Sequence, residues 1–281
     1  MSKEKFIEKI LLFIALSSIS ILGLIAFFIF VEGVPLIWKV GLQKFLLGDR
    51  WFPSQGSFGI LPMIIGSFLV TLGALIVGVP LGISCAVFLC ELTPSTFGMI
   101  IRPMIQLLAA IPSVIFGFWG LIVLVPLIRE HLGGPGLSVL AGSLVLGLMI
   151  LPTIISISED SLRALPRTFK EGALSLGATH WQTIWRVLLP AARSGIVASI
   201  ILGMGRAIGE TMAMIMILGN AAQTPISILD SARTLTTNIG IEMGYATGDH
   251  RQALFATGVV LFFIIMGLNS LALFVSRRKG S

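Results

Sequence analysis

Residues 51–90 contain no charged side chain in a run of 40. Few environments accept such a run. Inside a bilayer every backbone N–H and C=O must be satisfied within the segment, which leaves helices as the practical choice. One straight span needs about 20 apolar residues, so the run exceeds one crossing. Two crossings would require a turn buried in hydrocarbon. The expectation is a single long helix over 61–89, kinked near Pro80 and Gly82. Shorter apolar runs recur along the chain. Lys3, Lys5 and Lys9 precede an uncharged stretch at 10–31, too long for a signal-peptide core and followed by no small-residue cleavage site. Further candidate spans cover 103–128, 137–157, 195–218 and 252–276. With 56% hydrophobic and 11% charged residues in 281, the chain reads as an all-α polytopic membrane protein of six spans.

The polar connections set the topology. Residues 32–59 are rich in turn formers and carry Trp38, Trp51 and Phe52, which suit a membrane interface. Residues 91–102 read as a short loop with Pro94, and Pro112 should kink the third span. Residues 219–251 are too polar to span, and Leu235, Ile239 and Met243 at i, i+4, i+8 suggest an amphipathic helix on the membrane surface. With both termini cytoplasmic, the loops assigned inside hold twelve of the nineteen Lys and Arg and those outside hold six, leaving Arg206 within a span. That asymmetry follows the positive-inside rule. The expected organisation is an N-terminal helix and periplasmic segment over 1–59, then a core over 60–281.

Several chemistries find no support. Cys85 and Cys90 lie in one apolar run, and His131, His180 and His250 are scattered, so no metal cluster is visible. There is no GxxxxGK[ST] phosphate loop and no GxSxG nucleophile motif. No internal repeat is evident, which argues against a secondary transporter built from inverted repeats.

The main polar interruption is 159–193, with eight formal charges, five of them basic. Pro166 suits the first turn of a helix carrying Phe169, Ala173 and Leu176 on one stripe. Gly177 should end that helix in a left-handed conformation. Thr179 and Gln182 have capping-box spacing, and Trp181, Ile184, Trp185 and Leu188 form an apolar stripe ending near Pro190. These residues describe either a compact two-helix knob or a surface loop whose two helices lie on the lipid interface.

The fifth candidate span holds Arg206 and Glu210. On one continuous helix the two would share a face, about 16 Å into the span by helical rise. A charge at that depth must face protein or water. The pair reads as a neutralised packing element or as the lining of an anion path, where guanidinium suits phosphate-like oxygens. Gly205 and Gly209 would let another helix approach.

Glu171-Gly172-Ala173, Gly177, Val187, Leu189 and Pro190 resemble the EAA-type loop of binding-protein-dependent ABC importer permeases, with Gly172 in place of the first Ala. Residues 106–121 (QLLAAIPSVIFGFWGL) and 205–213 (GRAIGETMA), with Gly219-Asn220 following, are similar to the phosphate-permease branch of that family, the PstC type. The resemblance implies a type I importer (MetI-like) permease fold with a five-helix core and an extra N-terminal helix in the inner membrane. It implies a non-catalytic subunit that binds no cofactor or nucleic acid, with ATP-Mg on partner subunits. The implied partners are a PstA-like second permease, a PstB-like ATPase dimer and a PstS-like phosphate-binding protein. The implied coupling residues are Glu171, Gly172, Ala173, Gly177, Trp181, Trp185, Leu189 and Pro190; Arg206 and Glu210 would serve the pathway. Another oxyanion (sulfate, molybdate, phosphonate), or a self-contained secondary transporter, is the alternative.

Overall fold

The structure is a computed structural model that describes residues 2–278, with side chains described over 6–270 except Ser95. It is almost wholly helical. α1 (Ser2–Val40) and α2 (Leu42–Leu47) precede a small antiparallel hairpin of β1 (Trp51–Phe52) and β2 (Ser57–Phe58). α3 (Leu61–Val87) runs on through a π-helical turn at Phe88–Leu92. α4 (Ser95–Ala110) and α5 (Ser113–Trp119) are separated at Ile111 and Pro112. A second π turn at Gly120–Leu124 leads into α6 (Val125–Leu132), and α7 spans Val139–Arg163. The polar segment forms α8 (Arg167–Ser175), α9 (His180–Thr183), a third π turn at Ile184–Leu188, and α10 (Leu189–Ala191). α11 (Arg193–Gly209), α12 (Met212–Ile217), α13 (Leu235–Glu242) and α14 (Gly248–Arg278) complete the chain.

Among the described residues, five helices are long and apolar enough to cross a membrane, and six do so if α9–α10 and α11, bent by 69°, count as one broken span. The 40-residue uncharged run does contain one long helix, as expected. Other boundaries move. α1 continues through Glu32 and Pro35 to Val40, where a turn-rich segment is expected. Residues 91–102 are mostly helix, because α4 starts at Ser95. The third span is broken rather than kinked. Pro112 is extended (ψ 139) and begins α5, and the crossing runs to Leu132, past Arg129 and Glu130. Lys279, part of the closing basic cluster, lies outside the described residues.

α3 and α7 form the central pair. Val70 and Ala74 pack with Val145, Met149, Ile150 and Ile154, all buried. The approach is close enough that a Cβ at Gly78 would lie 2.8 Å from Ile150, and one at Gly82 would lie 2.6 Å from Ile154. Small residues permit such close packing where lipid supplies no hydrophobic drive between helices. α11 joins through Gly203 against Ile154. α1 lies along α14. Phe28 meets Phe255 edge-on at 5.7 Å between ring centroids, and a Cβ at Gly33 would sit 2.7 Å from the Ala256 nitrogen.

A second core lies at the end bearing the hairpin, where Leu36, Phe45, Trp51, Phe58 and Met63 pack with Leu235 and Leu254. This packing corrects the expectation of a surface helix around Leu235. α13 is buried at Leu235, Thr236, Thr237, Asn238 and Glu242. Its threonines explain why polar residues tolerate burial. Thr234 caps α13 by accepting from the Thr237 N–H, and Ser67 accepts from the Leu235 N–H at 3.0 Å.

Candidate functional site

The polar knob rests on buried acids. Glu159, 5% exposed near the end of α7, accepts from Arg102 Nε of α4 at 2.6 Å and forms an ion pair with Arg163, whose Nε lies 2.9 Å away. Glu91, in the π turn after α3, accepts from Lys170 of α8 at 2.5 Å. These bonds tie α4, α7 and α8 to the core. The cations are partly exposed, so each pair fixes geometry more than it adds stability.

Local folding follows the sequence signals closely. Pro166 caps α8 instead of occupying its first turn. Gly177 is left-handed at φ 83, with nothing near its Cβ position. Thr179 and Gln182 form a reciprocal capping box. Glu171 and Gly172 are exposed and Ala173 is half-buried. The expected four-residue apolar stripe divides into two faces. Trp181 and Trp185 are 58% and 65% exposed, whereas Ile184 and Leu188 are buried with Val87, Leu162, Ala192 and Ile196. Leu189 is half-buried against the same cluster, and Pro190 is exposed. Residues four apart share a helical face, so the tryptophans face out while Ile184 and Leu188 anchor the knob. Ile184 and Leu188 are therefore not a partner surface. Burying each contributes about 1.5–3 kcal/mol.

The fifth span departs from expectation. α11 ends at Gly209, Glu210 is extended (φ −70, ψ 127), and α12 restarts at Met212. Arg206 and Glu210 therefore do not share a helical face. Gly205 and Gly209 weaken the helix at that point, and the Glu210 carboxylate accepts from the Ala213 N–H of the restarted helix at 3.2 Å. Thr236 Oγ1 of α13 donates to the freed Glu210 carbonyl at 3.0 Å. Among the described residues Arg206 forms no ion pair or hydrogen bond, and it is only partly buried.

At the opposite end from the knob lies a hub absent from the sequence reading. Glu242, 6% exposed, receives three donors. Arg233 Nη1 donates to Oε1 at 2.6 Å, and Trp51 Nε1 lies 2.8 Å from Oε2. His250 Nε2 is also 2.8 Å from Oε2. Arg233 further donates to the Asn220 carbonyl at 2.9 Å and to Asn238 Oδ1 at 3.0 Å. Desolvation, with the Glu242 carboxylate adding to it, pushes the Tyr245 phenol up from its ordinary value. No periodicity links residues 51, 233, 242 and 250, so only tertiary structure could reveal the hub. Two hollows flank it, of about 520 and 600 Å³, both lined by Pro53 and Glu242. No metal-binding group of three His, Cys, Asp or Glu exists among the described residues.

Known proteins share this architecture. The chain is 43% identical over 266 residues to the probable ABC transporter permease YqgH of Bacillus subtilis, covering 91% of this chain and 85% of that one. It is 38% identical to the phosphate transport system permease PstC of Haemophilus influenzae, covering 79% and 76%. Among solved structures, a bacterial alginate ABC transporter in complex with its alginate-bound periplasmic protein matches with TM-score 0.61 at 17% identity, covering 94% of both chains. The inward-facing MetNI methionine transporter matches with TM-score 0.59 at 19% identity, covering 83% of this chain and 100% of that one. Both structures share the type I importer fold. Residues 78–280 match the model of the binding-protein-dependent transport system inner membrane component, and the chain is a multi-pass membrane protein belonging to that family of ABC importer permeases.

Proposed function

We propose that this chain forms half of the translocation pathway of an ATP-driven importer of inorganic phosphate. The observation that carries the reading is identity of 34–38% over most of the chain to relatives named as phosphate permeases. Arg206, which has no ion-pair partner among the described residues, supports it, since a guanidinium suits phosphate-like oxygens. The proposed assembly has a PstA-like second permease, a PstB-like ATPase pair holding ATP-Mg, and a PstS-like binding protein outside. Both termini face the cytoplasm on the distribution of Lys and Arg, and residues 1–59 are an addition to the permease core.

The knob at 159–193 is the coupling element. Its base is bolted to α3, α4 and α7 by Glu91 and Glu159, and its tip offers Trp181 and Trp185. Exposed aromatic anchors of this kind dominate protein interfaces once buried. Nucleotide-driven movement of the ATPases would tilt the knob and, through α7 and α11, switch access between the two sides. The test is reconstitution of the complex with its binding protein, comparing ATP hydrolysis with phosphate, sulfate and no substrate. Stimulation by phosphate alone is expected. Equal stimulation by sulfate, or transport by this chain alone in liposomes, would overturn the reading.

A further inference from the structure

Gly219-Asn220 remains unexplained by coupling or by the midspan charge. Asn220 is the one non-glycine residue with positive φ (55°) among the described residues. Asparagine is one of the few side chains that takes that conformation readily, because its amide can bond locally. Asn220 Nδ2 donates to the Ile215 carbonyl at 2.6 Å, which fixes Oδ1 as an acceptor. That Oδ1 is buried and has no hydrogen-bond partner. Asn238, fully buried on α13, mirrors it. Its Oδ1 accepts from Arg233 Nη1, which leaves Nδ2 as a donor, and Nδ2 is buried without a partner. These are the only two such side-chain atoms among the described residues. Both residues are bonded to the same guanidinium, because Arg233 Nε also donates to the Asn220 carbonyl. Buried unsatisfied polar groups are rare and costly, and they concentrate, with unusual backbone angles, at functional sites.

We propose that Asn220, Arg233 and Asn238 form an outer station for a hydrogen-bearing oxyanion, discriminating phosphate from sulfate before it reaches the midspan break. This rests on the phosphate reading above and adds the residues that select the ion. Asn238 Nδ2 and the unengaged Nη2 of Arg233 supply donors to anionic oxygens. Asn220 Oδ1 supplies an acceptor, which only an anion with an O–H can satisfy. Hydrogen phosphate carries that proton; sulfate near neutral pH does not, and its oxygen would face the amide oxygen lone pairs. Glu242 neutralises Arg233, so the station selects by neutral hydrogen bonds as much as by charge. Arg233 also lines the hollow of about 600 Å³ together with Arg50, Trp51 and Gln223, which would be the approach to the station. The two amide atoms are closed off from it, so access requires outward movement of 219–238. On the inner side, Thr236 on the same helix as Asn238 holds the Glu210 carbonyl, joining the station to the break beside Arg206.

The test uses the whole complex without its binding protein, with the ATPase sites filled by a non-hydrolysable ATP analogue. Thermal stabilisation is titrated with inorganic phosphate, arsenate and sulfate at constant ionic strength. The wild type should respond to phosphate and arsenate at concentrations about tenfold or more below those for sulfate. Asn220→Gly keeps the backbone conformation and removes the acceptor, so phosphate and sulfate should become equivalent. Asn238→Asp keeps the acceptor for Arg233 and loses the donor, so response to all three ions should weaken. Correct folding is checked by ion-free stability and complex assembly. An unchanged phosphate preference in assembled Asn220→Gly overturns the station. So does a wild type without preference, since the two amides would then serve packing alone. Phosphate uptake by the wild-type complex with its binding protein is measured on the same preparation. If uptake is present and the preference is unchanged in Asn220→Gly, only the station fails; if uptake is absent, the phosphate reading fails as well.

Discussion

Replacing Glu242 with Gln should release the N-terminal hairpin from the core. The carboxylate uses Oε1 for Arg233 and Oε2 for Trp51 and His250. An amide has one acceptor oxygen. If it faces Trp51 and His250, its NH2 group opposes Arg233 Nη1; turned round, it opposes the indole and imidazole donors. Either way Arg233, 15% exposed at its side chain, loses its counter-charge. Removing one partner of a buried pair costs about 3–5 kcal/mol, and the residual exposure argues for the lower end. About 3 kcal/mol corresponds to about a hundredfold change in an opening equilibrium. The readout is amide hydrogen exchange across Trp51, Phe58 and Gly59, whose N–H donates to the Arg50 carbonyl at 2.9 Å. Exchange there should accelerate by about a hundredfold, with little change in α3 and α7. Lys39→Ala is the control, because the Lys39–Asp249 pair is 64% and 49% exposed and contributes less than about 1 kcal/mol. Unchanged exchange in Glu242→Gln, or an equal effect from Lys39→Ala, would refute the argument.

The other predictions concern the knob and the span. Trp185→Glu should leave thermal stability of the isolated permease within about 0.5 kcal/mol yet abolish co-purification of the ATPase; retained co-purification with normal substrate-stimulated hydrolysis would count against the coupling role. Leu188→Ala should do the reverse in kind, costing about 2–5 kcal/mol in a denaturation experiment because the side chain is buried. Gly177→Val forces a β-branched residue to φ 83 and should uncouple hydrolysis from transport, whereas Gly177→Asn should be far milder; equal activity of the two would remove the conformational explanation. Arg206→Gln should reduce phosphate uptake while assembly persists, and wild-type uptake at equal membrane abundance would exclude a pathway role.

What could be read from sequence depended on how local its cause was. The Gly177 turn and the Thr179–Gln182 box are decided within a few residues, and both form as expected. The long third helix of the chain also followed, because a bilayer permits little else for 40 uncharged residues. The break at Glu210 did not follow. Apolar residues resume on both sides of Arg206 and Glu210 across 195–218, and what ends α11 is a carboxylate folding back to Ala213 and a threonine arriving from α13. Likewise, apolar periodicity could not say which half of the Trp181–Leu188 stripe faces the core, since that depends on where Val87 and Leu162 lie. The burial of α13 was illegible for a related reason. Leu235, Ile239 and Met243 repeat like a surface helix, but Ser67 and the neighbouring threonines pair its polar groups and make burial affordable.

The pairing of α1 with α14 has a consequence for how the protein is made. Residues 2–40 leave the ribosome well before their partner, which begins at Gly248. Until α14 is made, the part of the first helix before Leu36 must persist in lipid without the helix it finally lies along. Its outward apolar surface, from Phe6 to Val31, makes that wait tolerable. Gly33 is the position where the late helix finally seats. A chain stopped before residue 248 would therefore retain an inserted first helix but leave the hairpin side open to quality-control proteases. Completion of α14 would be the step that covers the first helix and closes the hairpin side together.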